Sequence, residues 1–424
     1  MPQHTNPQPN MKIFSTGDQT LLREINLSSV LRYIHSNAPI SRAQLAGVTG
    51  LNKSTVSSLI DELVERGLVR QTGLETSGTG RPATLLELNP WAGCIIGVEY
   101  GVDFVMVILA NFNGEVIWRS HQSADPADGQ EMTTAKVFEL VDQAIEVCEL
   151  HQARLLGLGI ATPGTVKVEE GFLIHAPNLD WRNIPFAQIF HDRYPNLPVY
   201  VDNDANAAAV GEHFFGVAQH AQDFVFLFAG VGIGAGLFLN GGLYRGKSGY
   251  AGEIGHSMFM AESFQSPCQC GNRGCWETYA SQLSIIDRVR AQLQVRRSSS
   301  ISNFLSDPNA PLTLQAISQA AGSGDSVAIE ALNEAGQAMG IGVANVINIF
   351  NPSLVVIGGP LSAVGQFMLP GIQESIDRHT LPEIRQEIQI ALSASGPDAS
   401  VIGAVATVVE AIFSKPTRSG KVVL

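Results

Sequence analysis

The chain has 424 residues, too many for one ordinary hydrophobic core, so two or more domains are expected. Its 45% hydrophobic and 15% charged residues make it globular and exclude a largely disordered polypeptide. The net charge of −13 argues against a protein that is basic throughout, but the charge is unevenly spread: residues 1–89 hold eight Lys/Arg and seven Asp/Glu, and the acidic excess lies in the remainder. A near-neutral head on an acidic body can still bind DNA if its basic groups share one face. No apolar run reaches the ~18 residues that span a bilayer. Residues 1–10 are polar and proline-rich, with no signal-peptide core. A cytoplasmic protein without a membrane partner is therefore expected.

Residues 1–15 read as a disordered tail, with Met11 as a candidate true start. Residues 19–37 form a helix whose apolar stripe is Leu27, Val30, Leu31 and Ile34. Ser41 and Gln44 make a capping-box signature for a second helix. Gly50 breaks that helix. Asn52 or Ser54 caps a third, with Val56, Leu59, Ile60, Leu63 and Val64 as its stripe and Gly67 at its end. Residues 68–70 and 84–88 read as two short strands flanking a Gly/Ser/Thr-rich tip at 76–80. From Cys94 onward, apolar strand-like runs (95–98, 104–110, 155–161, 224–228, 354–357) alternate with helical stretches, the texture of an α/β domain.

Ala46, Gly50 and Val56 stand where a helix-turn-helix needs a small residue for close approach, a positive φ in the turn and an apolar packing residue. The third helix would then enter the major groove by its first turn. Asn52, Lys53, Ser54, Thr55 and Ser57 would reach base edges and phosphates there, with Arg81 on the wing reaching a minor groove or a phosphate. With two strands attached, the head reads as an α+β winged helix-turn-helix. A small helical domain for protein contacts is the alternative.

Five cysteines do not pair evenly, and three crowd together. His256, Cys268, Cys270 and Cys275 supply one imidazole and three thiolates in the order H-x11-C-x-C-x4-C, which suits a closed, tetrahedral, structural Zn2+ site. Gly271 and Gly274 let a short loop wrap the ion.

Val201-Asp202-Asn203-Asp204-Ala205-Asn206 places carboxylates and amides at a strand end, where they can hold a polyol. Glu253 and Glu277 flank the zinc loop, so the metal would fix two further carboxylates. An ordinary strand-end turn with surface acids is the bland alternative.

Glu253-Ile254-Gly255-His256, followed by Cys268-Gln269-Cys270-Gly271-Asn272-Arg273-Gly274-Cys275-Trp276-Glu277, resembles the signature and zinc motif of the ROK family (repressors, open reading frames, kinases), and Asn203-Asp204 resembles its sugar-binding and catalytic pair. The resemblance covers nearly the whole chain. It implies an actin-like, ribonuclease-H-like two-lobed α/β domain with sugar in the cleft, contacted by Asn178, Asn203, Asp204, Glu253, His256 and Glu277, with Pro163-Gly164 in a loop at the cleft. Gly17-Asp18-Gln19 through Arg23-Glu24-Ile25-Asn26 resembles the start of the repressor branch, its xylose repressors in particular. In the kinase branch, Asp204 would be the general base on a sugar hydroxyl. Those kinases carry an Asp-x-Gly-Gly-Thr-like first phosphate loop; here it reads Glu99-Tyr100-Gly101-Val102-Asp103-Phe104. In the second loop, residues 230–236, Val231 replaces threonine and Ala235 glycine. ATP is therefore not expected as a cofactor.

The expected organisation is a tail at 1–15, a winged helix-turn-helix domain at 16–90 and a sugar-kinase-like domain at 91–424, its second lobe at roughly 215–395. The expected function is that of a sugar-responsive repressor of carbohydrate genes, not an enzyme. Its expected partners are double-stranded operator DNA, a small sugar and a second copy of itself in a dimer or larger homo-oligomer. An active sugar kinase with a DNA-binding head and a repressor released by a protein partner are the alternatives.

Overall fold

A computed structural model of the chain describes residues 19–75, 83–260, 267–295, 298–302 and 312–418. The tail at 1–15, the wing tip at 76–80 and Arg81 lie outside the described residues. The described chain falls into two units, one drawn from Met1–Asn89 with Ile412–Lys421, the other from Pro90–Ala411.

The first unit runs α1 (Gln19–Asn37), β1 (Ile40–Ser41), α2 (Arg42–Thr49), α3 (Lys53–Glu65), β2 (Val69–Glu75) and β3 (Ala83–Leu88). The stripe Leu27, Val30, Leu31 and Ile34 on α1 is fully buried, and so are Val56, Leu59, Ile60 and Leu63 on α3; Val64, in the last turn, is only partly covered. The capping box is reciprocal: the Gln44 N–H donates to Ser41 Oγ at 3.4 Å and the Ser41 N–H to Gln44 Oε1 at 2.8 Å. Gly50 takes φ +68°, which lets α2 stop and α3 start within three residues. Asn52 is the cap of α3, its Oδ1 accepting the Thr55 N–H at 2.8 Å. Strands β2 and β3 pair antiparallel, with β1 on the other side of β3, as the sheet of a winged helix-turn-helix.

The C-terminal residues join this unit, although the sequence reading places them with the sugar-binding domain. Phe413 meets His35 edge-on at 5.8 Å. Thr417 Oγ donates to Glu24 at 2.6 Å, and the Thr417 carbonyl accepts from Arg66 at 3.1 Å.

The second unit runs β4 (Cys94–Tyr100), β5 (Phe104–Asn111), β6 (Val116–Ser123), α4 (Gly129–Leu150), β7 (Leu155–Thr162), β8 (Thr165–Lys167), β9 (Phe172–Ala176), β10 (Trp181–Ile184), α5 (Phe186–Arg193), β11 (Val199–Asn203) and α6 (Asp204–Phe215). It continues with β12 (Phe224–Ala229), β13 (Ile233–Leu239), β14 (Gly242–Leu243), α7 (Glu277–Ala280), α8 (Gln282–Gln294), α9 (Leu314–Gly322), α10 (Ser326–Phe350), β15 (Leu354–Gly358), α11 (Gly365–His379), α12 (Pro382–Arg385), β16 (Gln389–Leu392) and α13 (Ala399–Ser414).

Two five-stranded sheets have the same plan, β11-β7-β4-β5-β6 and β14-β13-β12-β15-β16. In each, an antiparallel meander is extended by two parallel strands on the side of its first strand. This duplicated order is the actin-like two-lobed arrangement. Each lobe has its own core, one around Ile96, Val107, Leu140 and Ile160, the other around Val225, Ile285, Leu332 and Val343. A small antiparallel sheet, β10-β9-β8, covers the first lobe. Helix α13 lies close against both β7 and α6: a Cβ at Gly159 would strike the Ala404 carbonyl, and one at Gly403 the backbone of Ala207. Residues Gly396–Ser414 are long and apolar enough to cross a membrane by length and composition. The sequence reading had no segment of that kind; the apolarity answers to packing, since Val401, Ala404, Val405 and Val408 are fully buried.

Candidate functional site

One cavity of about 840 Å³ lies in the second unit. All six residues expected to contact sugar, Asn178, Asn203, Asp204, Glu253, His256 and Glu277, line it, as do Pro163 and Gly164. Strand β11 ends on Asn203 and α6 begins on Asp204, so the strand-to-helix junction aims both side chains at the cavity. The Asn203 oxygen is committed to capping α6, accepting from the Ala205 and Asn206 N–H groups at 3.0 and 3.2 Å. Its amide donates to the Gly164 carbonyl at 3.0 Å, so Asn203 also pins the cleft loop. Glu277 opens α7, and its Oε2 accepts from the Ile233 N–H at 3.4 Å.

Burial pushes the Asp204 carboxyl up to about 7; the Glu253 charge adds to this, and the Ala205 N–H and Asn203 side chain oppose it. The folded chain therefore holds this proton more tightly than the unfolded chain. The stability it contributes is complete at acid pH and is lost as pH rises through about 7. Asp204→Asn should accordingly raise the Tm of the unliganded protein by a few degrees at pH 8 and by about half as much at pH 5.5, which lies midway between the ordinary carboxyl value of 3.8 and about 7. Thermal melts at the two pH values check this; an equal shift at both would contradict it. Burial likewise raises Glu253, with the Glu277 charge adding and His256 opposing.

The predicted metal ligands come together. One ligand atom from each of His256, Cys268, Cys270 and Cys275 lies within 4.8 Å of the others. Cys270 and Cys275 Sγ are 3.8 Å apart, and Cys268 Sγ is 3.6 Å from His256 Nδ1. Tetrahedral zinc with bonds of about 2.3 Å to sulfur and 2.0–2.1 Å to nitrogen has edges of about 3.8 Å (S–S) and 3.6 Å (S–N). The residues therefore fit the ion. Burial, reinforced by neighbouring Glu277, pushes the Cys268 thiol up, a penalty that a divalent cation would reverse by favouring thiolate. Glu277 Oε1 is 2.8 Å from Cys268 Sγ and 3.4 Å from His256 Nδ1, while His256 Nε2 is 3.8 Å from Glu253. The imidazole thus has one nitrogen toward the metal cluster and the other toward the cavity's carboxylates.

Sequence reasoning missed three features of the site. Glu99 on β4 is 2% exposed, and its Oε2 has no hydrogen-bond partner among the described residues. Burial drives its carboxyl well above the ordinary range, with Asp204 and Asp398 adding and the Val401 N–H opposing. Asn206 Oδ1 is likewise buried without a partner among the described residues. Arg245 grips the buried Asp202 with two bonds of 2.9 and 2.5 Å, joining the segment that leads to Glu253 to the strand that carries Asn203. The polar run 201–206 contains Asp202 and Asn206, but nothing local marks Arg245, 43 residues away.

At the β4–β5 turn the Gly101 N–H donates to the Phe104 carbonyl at 2.9 Å. The Phe104 ring lies over Gly101, where a Cβ would strike it, and stacks on His121 at 4.9 Å. The cavity wall includes five acidic side chains, Glu99, Asp103, Asp204, Glu253 and Glu277, and among the described wall residues no lysine or arginine.

In the first unit, Asn52, Lys53 and Ser54 are exposed at the start of α3, with Thr55 and Ser57 partly covered. Lys53 has no ion pair among the described residues, whereas Arg42 pairs with Asp61 at 2.8 Å, Arg70 with Glu87 at 2.5 Å, and Arg23 and Arg66 both with Glu62 at 2.6 and 2.9 Å.

Residues 95–411 match the profile of the ROK family, and residues 28–81 that of the MarR family. A xylose repressor of Caldicellulosiruptor bescii is 37% identical over 402 residues, covering 94% of this chain and 99% of the relative. The crystal structure of a ROK family transcriptional regulator, a homolog of the E. coli Mlc protein, superposes with a TM-score of 0.78 at 27% identity over 93% of this chain and 97% of that one. A ROK family glucokinase from Streptomyces griseus, in complex with glucose and AMPPNP, gives a TM-score of 0.67 at 29% identity over 74% of this chain and 99% of that one. With the family profile spanning most of its length and a full-length relative above 30% identity, this chain belongs to the ROK family.

Proposed function

We propose that this protein is a sugar-responsive transcriptional repressor of carbohydrate-utilisation genes, with xylose the first effector to test. The observation that carries the reading is the union, on one chain, of a winged helix-turn-helix with a cavity lined by carboxylates and amides that suit a polyol. Asn178, Asp204, Glu253, His256 and Glu277 would hold sugar hydroxyls, and Asn203 would hold the loop beside them. Zn2+ would be bound by His256, Cys268, Cys270 and Cys275 and would supply no chemistry beyond fixing that loop. Asn52, Lys53, Ser54, Thr55, Ser57 and Arg81 would face operator DNA, and a homodimer would present two such heads to paired half-sites. A protein with that task works in the cytoplasm.

The cavity favours sensing over phosphoryl transfer. Like charges about 4 Å apart repel by ~1 kcal/mol in water and by more in a cleft. With acidic side chains at five positions and no lysine or arginine among the described wall residues, the cavity offers a triphosphate no cationic partner. The Phe104 ring over Gly101 also covers backbone that a phosphate loop leaves open. A sensor needs only ground-state contacts, while a kinase must also hold phosphate in line with the attacking hydroxyl. Sugar binding would act on DNA only through its differential affinity for the two states of the repressor.

Thermal melts across pentoses and hexoses, paired with phosphoryl-transfer assays from ATP, test this reading. A sugar at 100 times its Kd should add about 2.7 kcal/mol of stability, with no product formed. Turnover of ~1 s⁻¹ or faster, abolished by Asp204→Asn, would instead establish a kinase.

A further inference from the structure

We propose that the cleft holds a second sugar-ring subsite against Phe104 and His121, so that the effector is an uncharged saccharide of two rings. The inference rests on the sugar-sensing reading and sharpens it. A volume of about 840 Å³ stands at the large end of the range for pockets that take drug-sized ligands, and a single pentose or hexose ring fills only part of it. The contacts that suit the first ring are clustered. Glu277 touches the zinc ligands, faces Asn178 across Gly232 and lies near Glu253 through His256.

The rest of the wall comes from other elements and has another character. Phe104 at the β4–β5 turn and His121 on β6 stack at 4.9 Å with a tilt of 22°, forming an aromatic face of the cavity. Thr313 and Gln315 at the start of α9, Gln319 one turn on, and Pro397 also line the cavity. An aromatic wall beside amides and hydroxyls suits a sugar ring, which presents apolar C–H faces and a polar rim. It does not suit a phosphate, since the described wall residues include neither lysine nor arginine and Asp103 brings a negative charge. Asp204 and Glu99 both line the cavity: Asp204 begins α6 beside the first ring's site, and Glu99 is on the strand that leads to Phe104. A glycosidic oxygen in place of the hydroxyl nearest Asp204 would carry the second ring toward Phe104.

Calorimetry on the full-length protein with matched pairs, xylose and xylobiose, glucose and cellobiose, tests the proposal. In at least one pair the disaccharide should bind ten times tighter than its monosaccharide or better. Phe104→Ala should erase that gap while leaving monosaccharide affinity within twofold, and His121→Ala, on an exposed strand position, should narrow it and serves if the first variant fails to fold. Monosaccharide binding with no disaccharide preference in either pair, or a gap that survives both variants, would overturn the second subsite and leave sugar sensing intact. Failure of all four sugars to bind would overturn both readings. Binding of ATP in place of the second ring would assign this half of the cleft to a nucleotide.

Discussion

Cys270→Ser should reduce zinc from about one ion per chain to a small fraction and weaken sugar binding at least tenfold. The four ligand atoms lie within 4.8 Å of one another, two of their separations match the edges of a zinc-sized tetrahedron, and a serine hydroxyl replaces a thiolate poorly. Structural zinc sites contribute folding free energy directly, so the segment carrying the cysteines should loosen. The effect reaches the sugar through Glu277, two residues beyond Cys275 and in contact with Cys268, and through His256, whose two nitrogens face the metal cluster and Glu253. Elemental analysis and calorimetry on the same preparation measure both halves. A folded, zinc-free variant with unchanged sugar affinity would separate metal from sugar, and a metal-free wild-type protein purified without chelators would remove the zinc claim.

Lys53→Glu should lower operator affinity tenfold or more while leaving sugar affinity unchanged. Lys53 stands on the first turn of α3, exposed and without an ion pair among the described residues, while Arg23, Arg42, Arg66 and Arg70 are each matched to a carboxylate. It is thus the cation of α3 placed to meet a phosphate, and reversing its charge sets a carboxylate against the DNA backbone. The salt dependence of binding should flatten by about one counterion per head, the number released when a lysine neutralises one phosphate. Binding titrations at several salt concentrations check both effects; an unchanged affinity and slope would place the DNA-binding surface elsewhere.

The features legible in the sequence are those set by neighbours along the chain. The capping box at Ser41 and Gln44, the turn at Gly50 and the stripe of α3 depend on spacings of three and four residues, and they appear where expected. The metal cluster needed only His256 and three cysteines within 20 residues. What escaped depends on contacts between distant segments. Thr417 reaches Arg66 across 351 residues, so the C-terminal segment's place beside α1 had no local sign. Arg245 is an ordinary loop arginine until the fold sets it on Asp202. Glu99 read as part of a damaged phosphate loop; its significance as a buried acid with a raised pKa depends on burial and on Asp204 and Asp398, brought to it from elsewhere in the chain. Strand β2 runs on to Glu75 because β3 pairs with it throughout, a partnership that the short run 68–70 does not disclose.

The most direct measurement of the central claim is the operator affinity of the full-length protein with and without the sugar that stabilises it most. Allosteric coupling of about 1–3 kcal/mol corresponds to a 5- to 150-fold change. Sugar is expected to weaken operator binding at least tenfold in the wild-type protein. In Asp204→Asn the same release should require at least tenfold more sugar, because a buried carboxylate acceptor is removed. Operator affinity unmoved by a sugar that demonstrably binds would contradict the claim.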